Sequence, residues 1–182
     1  GSRAATVHAL SRARAAGAIC VMDVDYRPYS WPSQADAQAT CLYAARACDI
    51  IVGNDVEFGL LAGAEDKGLA VARQLVAEGA AIAVYKMGER GAVTLSAEGE
   101  FATGIYRTTA LKPTGAGDAF MGGVLAALAR GRPLRQAVLR GSASAAIVAS
   151  SSTAITAPAA RPPLRRPRKL TISFCANPNL QP

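Results

Sequence analysis

Between Lys112 and Gly123 the chain reads Lys-Pro-Thr-Gly-Ala-Gly-Asp-Ala-Phe-Met-Gly-Gly, which sets one carboxylate and two glycines where an apolar helical stripe begins. A helix start exposes unpaired N–H groups and the positive end of the helix dipole. Gly115 and Gly117 leave that backbone open to an oxyanion. The amides of Ala116, Gly117 and Asp118 then make an anion hole with a base inside it. Asp118 would take the proton of an attacking hydroxyl while the amides stabilise charge on a transferred phosphoryl group. An aspartate-capped helix after a glycine turn explains the same residues without any chemistry. Context separates the two: Phe120, Val124, Leu125 and Leu128 recur at helical spacing with no charge between Asp118 and Arg130, so Asp118 is expected on a buried helix start.

Three other polar groups follow apolar strand patterns, and strand ends are where an open α/β sheet receives its ligands. After residues 18 to 22 comes Asp23-Val24-Asp25-Tyr26-Arg27-Pro28-Tyr29-Ser30-Trp31, in which Arg27 offers a guanidinium for phosphate oxygens and the carboxylates orient it. A capped strand exit with Trp31 as a packing anchor is the plainer reading. After residues 49 to 52, Asn54-x-x-Glu57 has the spacing of a capping box, and the same amide and carboxylate suit the hydration shell of Mg²⁺ beside a polyphosphate. These two readings are compatible. The third group, Lys86-Met87-Gly88-Glu89-Arg90-Gly91, is a Gly-x-x-Gly turn that lets a nucleotide lie against bare backbone, although hairpins use glycines in any case.

The elements that must position these groups alternate. Helices are predicted at residues 3–16, 33–47, after Asn54, 67–78, from Asp118 and at 133–150; strands at 18–23, 49–52, 81–85, 92–96 and 101–104, the last two as a hairpin. Repeated β and α elements predict a mainly parallel sheet covered by helices, an α/β class.

Composition narrows the function. With 182 residues, 51% of them hydrophobic, the chain supports one buried domain, and no stretch approaches the length of a membrane span. Cys20, Cys41, Cys48 and Cys175 lack metal-site spacing and read as reduced thiols of a cytoplasmic protein. The single histidine, His8, falls on a predicted surface helix, which argues against multi-histidine metal sites and a Ser-His-Asp triad. The formal charge of +7 is mostly local: residues 1–150 carry 15 Lys and Arg against 13 acids, whereas the remainder holds Arg161, Arg165, Arg166, Arg168 and Lys169 with no acid. A solvated basic end is the reading preferred over nucleic-acid binding. After Ser150 the pattern changes to a proline-rich, basic tail, residues 151–182, expected to pack little; a shift this abrupt is what a frameshifted or misannotated end produces.

The run from Gly115 to Gly123 closely resembles the signature of ribokinase-like (PfkB) carbohydrate kinases, and the Asn-x-x-Glu and Lys-x-Gly-x-x-Gly segments match in the family's order. The resemblance covers most of residues 1–150. It implies a ribokinase-like fold and ATP-dependent transfer of the γ-phosphoryl group to a primary hydroxyl of a sugar or sugar acid. It further implies Asp118 as base within the Gly115, Ala116 and Gly117 turn, Asn54 and Glu57 serving Mg²⁺, and Lys86, Gly88, Glu89, Gly91 and Arg27 bordering the nucleotide. Asp-x-Asp-Tyr-Arg-Pro-Tyr-x-Trp and the Lys-Pro before Thr114 resemble most the branch acting on 5-dehydro-2-deoxygluconate, with the 2-keto-3-deoxygluconate branch as alternative. A non-catalytic nucleotide-binding module is the competing class. The family's kinases are longer, so the resemblance implies that the N-terminal strands, the β lid and most sugar contacts are missing. The open sheet edge this leaves favours a homo-oligomer or a complementing N-terminal half.

Overall fold

The computed structural model describes residues 2–109, 111, 114–150 and 170–174. Lys112, Pro113 and, in the tail, residues 151–169 and 175–182, about which the sequence raised expectations, lie outside the described residues. In chain order the elements are α1 (Ser2–Ala15), β1 (Ile19–Asp23), α2 (Gln34–Arg46), β2 (Ile50–Asn54), α3 (Asp55–Ala62), α4 (Gly68–Ala77), β3 (Ile82–Lys86), β4 (Ala92–Ser96), β5 (Gly99–Thr103), α5 (Ala116–Leu128), α6 (Leu134–Ser150) and β6 (Leu170–Phe174). The predicted helices and strands of residues 3–150 are all present, with shifts of one or two residues at their ends.

Two compact units divide these residues. One runs to Gly88 and adds Ala92–Ala102 and β6; the other comprises Glu89–Gly91 and the described residues within Thr103–Arg168. The first unit holds the sheet, ordered β5-β4-β3-β2-β1-β6. Strands β1, β2 and β3 are parallel, with Met22 opposite Ile51 and Ile51 opposite Ala83, while β4 returns antiparallel to β3. Strands β1, β2 and β3 have apolar residues on both faces, the composition of a sheet interior. On one face Cys20, Met22, Ile51, Ala83 and Leu95 meet Leu10 of α1, Cys41 and Ala45 of α2, Phe58 and Leu61 of α3, and Val71 and Leu75 of α4. On the opposite face Val21, Val52, Val84 and Thr94 are also fully buried.

Helix starts and stops follow local chemistry. Ser33 caps α2 by accepting from the Asp36 amide at 3.1 Å, and Gly63, at φ 72°, ends α3 in the left-handed conformation. Cys20, Cys41 and Cys48 are free and buried, as expected; burial first, then Cys20 and Asp49, push the Cys48 thiol up to about 12, so it stays protonated.

The second unit is led by α5 packed along α6, with Ala137, Val138 and Gly141 of α6 buried against Phe120, Val124 and their neighbours. Close approach depends on two glycines, Gly123 and Gly141: a Cβ on Gly141 would lie 2.6 Å from Val124 Cγ2 and 2.8 Å from the Phe120 carbonyl oxygen.

The sequence assigned no strand to the tail, and here the structure differs. Leu170–Phe174 pairs in parallel with β1 along its whole length. Its Leu-Thr-Ile-Ser-Phe pattern has period two, but it is short and stands among prolines and arginines, and its partner lies far away in the chain.

Candidate phosphate and nucleotide site

The C-terminal ends of β1, β2 and β3 bring together three of the groups singled out from sequence. Asp23, the last residue of β1, is buried. Two residues on, Asp25 holds φ 38°, the sole positive φ outside glycine among the described residues, and its carboxylate pairs with Arg27 at 2.6 Å. Aspartate tolerates that conformation better than most residues, and such outliers concentrate where a side chain must be aimed. Both side chains of the pair are half-exposed, so the guanidinium is oriented by a carboxylate yet open to solvent.

At the end of β2, Asn54 and Glu57 form the capping box in full. The Asn54 amide oxygen accepts from the Glu57 N–H at 2.9 Å, and the Glu57 carboxylate accepts from the Asn54 N–H at 2.6 Å. Lys86, the last residue of β3, stands opposite Asn54 in the sheet register. Glu57 is buried, and its pKa is raised by desolvation, opposed by the Asn54 hydrogen bond and the Lys86 charge and reinforced by Asp23 and Asp25. A carboxyl group that binds its proton more tightly when folded contributes stability at low pH that is lost as pH rises through its folded pKa. Urea midpoints should therefore fall as pH rises from the ordinary carboxylate range, and Glu57→Gln, which keeps an acceptor for the Asn54 N–H, should flatten that slope. An identical slope in the variant would show that other groups carry it.

Among the described residues, no group of three or more His, Cys, Asp or Glu side chains is arranged for a metal. One amide and one buried carboxylate, half committed to the cap, therefore fit an ion that retains most of its waters and draws its other ligands from phosphates, as Mg²⁺ does. Between β3 and β4 the chain passes through a 3₁₀ turn at Gly88–Arg90, where Gly88 (φ 57°) has open space at its missing Cβ and Glu89 is exposed.

In the second unit, Gly91 at φ 84° runs so close to the Thr103 carbonyl oxygen that any Cβ would collide with it. Gly115, at φ 85°, is the N-cap of α5 and supplies no side-chain cap. The first intrahelical bond there runs from the Ala119 N–H to the Gly115 carbonyl at 2.9 Å, so Ala116, Gly117 and Asp118 present the first-turn amides that no helical carbonyl accepts from. Asp118 is exposed, which corrects the expectation of a buried helix start: the apolar stripe begins at Phe120, and the first turn lies outside it. Its carboxylate has no hydrogen-bond or ion-pair partner among the described residues. Sequence reading did not single out Asp25 for its backbone or Gly123 and Gly141 for the packing of α5; the Asp-x-Asp spacing at a strand exit and the small residues facing each other along α5 and α6 were the available signals.

A mainly parallel sheet with helices in its crossovers defines the class of open α/β folds, in which ligands are received at the C-terminal strand ends. The chain matches the model of the pfkB family carbohydrate kinases over residues 1–160 and belongs to that family. It is 38% identical over 157 residues to the 5-dehydro-2-deoxygluconokinase of Photobacterium profundum, covering 84% of this chain and 47% of that protein. Against the 5-dehydro-2-deoxygluconokinase of Shouchella clausii identity is 38% over 151 residues, 82% of this chain and 46% of the relative. The chain thus spans about half the length of the curated relatives it matches. Among solved structures, aminoimidazole riboside kinase from Salmonella enterica, complexed with aminoimidazole riboside and an ATP analog, superposes with TM-score 0.70 at 28% identity over 81% of this chain and 51% of that one. Fructokinase from Vibrio cholerae O395, in its fructose, ADP and calcium ion bound form, gives 0.71 at 25% identity over 86% and 52%.

Proposed function

We propose that residues 1–150 form the C-terminal part of an ATP-dependent carbohydrate kinase that transfers the γ-phosphoryl group to a primary hydroxyl of a sugar or sugar acid. The observation that carries this reading is the α5 start: three first-turn amides behind a left-handed Gly115, with the exposed carboxylate of Asp118, which has no partner among the described residues, in the same turn. As the substrate oxygen forms its bond to phosphorus and the bond to the leaving diphosphate breaks, Asp118 takes the hydroxyl proton. The amides of Ala116, Gly117 and Asp118 offset the charge gathering on the transferred group.

Asn54 and Glu57 would hold the waters of Mg²⁺, which when bound neutralises phosphate charge. Lys86, Gly88, Glu89 and Gly91 would border the nucleotide, and Arg27, aimed by Asp25, would contact a phosphate. The names of the curated relatives favour 5-dehydro-2-deoxygluconate as the acceptor, and 2-keto-3-deoxygluconate stays the alternative raised by the sequence resemblance alone. No helix among the described residues is long and apolar enough to cross a membrane, and three free, buried cysteines suit the reducing cytoplasm.

Calorimetry with Mg·ATP, paired with an assay for phosphorylated sugar acid, tests the reading. Binding with transfer supports the kinase. Binding without transfer supports a nucleotide-binding module instead, and absence of binding would reject both.

A further inference from the structure

Among the described residues, three buried hydroxyls, those of Ser30, Thr94 and Thr103, have no hydrogen-bond partner in the protein. Such a group gives up its water on folding and gains nothing in return, so its retention calls for a cause. Thr94 is fully buried within β4 opposite Val84, where a β-branched side chain packs on its sheet neighbours. Ser30 lies inside the turn after Arg27, which its N–H closes on the Arg27 carbonyl at 3.0 Å. Thr103 stands elsewhere, against the Gly-x-x-Gly turn.

Strand β5 borders the sheet, and its other residues are exposed or half-buried; Thr103, the last of them, is the single buried one. An apolar side chain would fill that position with no unpaired atom, and the chain places a hydroxyl there. The residue it lies against is Gly91: a Cβ on Gly91 would collide with the Thr103 carbonyl oxygen and stand 3.0 Å from the Gly104 Cα. Gly91, at φ 84°, ends the turn and leaves bare backbone beside the threonine, room that a flat ring can use.

We propose, resting on the reading of that turn as a nucleotide border, that Thr103 is a specificity-determining residue for the nucleotide, its hydroxyl meeting the substituent at the 6-position of a purine laid against Gly91. The 6-position is the end of the base farthest from ribose and triphosphate, so it is the polar group that a buried hydroxyl receives while the phosphates stay outward. A hydroxyl donates once and accepts twice, and it therefore answers the amino group of adenine and the oxo group of hypoxanthine alike. A base with hydrogen at that position leaves the hydroxyl buried and unpaired, and is rejected for that reason.

Calorimetry on the full chain with the Mg²⁺ complexes of ATP, ITP and purine riboside triphosphate, which carries hydrogen at the 6-position, tests the contact. The parent should bind ATP and ITP alike and purine riboside triphosphate about tenfold more weakly. Thr103→Val should bind all three at that weaker level, whereas Thr103→Ser, which keeps the hydroxyl, and Thr94→Val, which removes one of the other two, should keep the parent's order. The urea midpoint of Thr103→Val should not fall, because the substitution removes an unpaired buried hydroxyl. A Thr103→Val chain that discriminates as the parent does, or that weakens all three nucleotides by one factor, would overturn the contact. So would a lower midpoint with unchanged binding, since the hydroxyl would then be serving the fold. A parent that binds none of the three overturns the kinase reading and this contact together; a parent that binds ATP beside a variant that binds it equally well overturns the contact alone.

Discussion

Replacing Asp118 by Asn is expected to lower phosphoryl transfer to a sugar acid by about 10²–10⁴-fold while leaving ATP affinity nearly unchanged. The substitution preserves side-chain shape in the first turn of α5 and leaves the amides of Ala116, Gly117 and residue 118 in place, so the anion hole survives and the proton acceptor does not. Loss of a negative charge close to the helix start costs the helix about 0.3–1 kcal/mol through its dipole. The same loss removes repulsion from a polyphosphate, so affinity should hold or improve slightly. Steady-state rates and calorimetric Kd values on the same preparations check both halves. If turnover in the variant stays close to that of the parent, Asp118 serves the helix and not the reaction. If instead affinity collapses along with turnover, the carboxylate organises the nucleotide site.

The fold was legible wherever local chemistry decides structure. Asn54-x-x-Glu57 before an apolar run specifies a helix start, and the structure forms that capping box with both hydrogen bonds. The strands containing Val21, Ile51 and Val84 could be read from their apolar runs, because a parallel strand buried on both faces needs no alternation. What the sequence hid was decided by distant partners. The exposure of Asp118 depends on where packing along α6 begins, one turn into α5, and no periodicity of α5 alone states that. The raised pKa of Glu57 comes from burial at the end of the sheet, whereas the same letters on an open helix start would leave an ordinary carboxylate. Arg27 was read as a guanidinium with carboxylates nearby, but neither the positive φ of Asp25 nor the 2.6 Å pairing of its carboxylate with Arg27 could be read from the letters.

Adjacent glycines in α5 should respond to alanine with opposite signs. A Cβ on Gly123 would stand 2.7 Å from Ser144 Oγ, 2.9 Å from the Gly141 Cα and 3.0 Å from the Arg140 carbonyl oxygen. Two of those three atoms belong to the backbone of α6 and cannot rotate aside, so Gly123→Ala must push the helices apart, at about 1–3 kcal/mol for overpacking of this kind. Gly122 has no neighbour within 4 Å of its missing Cβ and is exposed. Alanine there removes backbone freedom from the unfolded chain at no steric cost, so Gly122→Ala should stabilise by about 0.5–1 kcal/mol. Urea midpoints of the two variants should consequently move in opposite directions around the parent. Stabilisation by both would mean that α5 and α6 do not approach as closely as Gly123 and Gly141 require. Destabilisation by both would mean that Gly122 faces a partner. Because α5 also carries the open amides of Ala116 to Asp118, Gly123→Ala should weaken ATP binding as well, and Gly122→Ala should leave it alone.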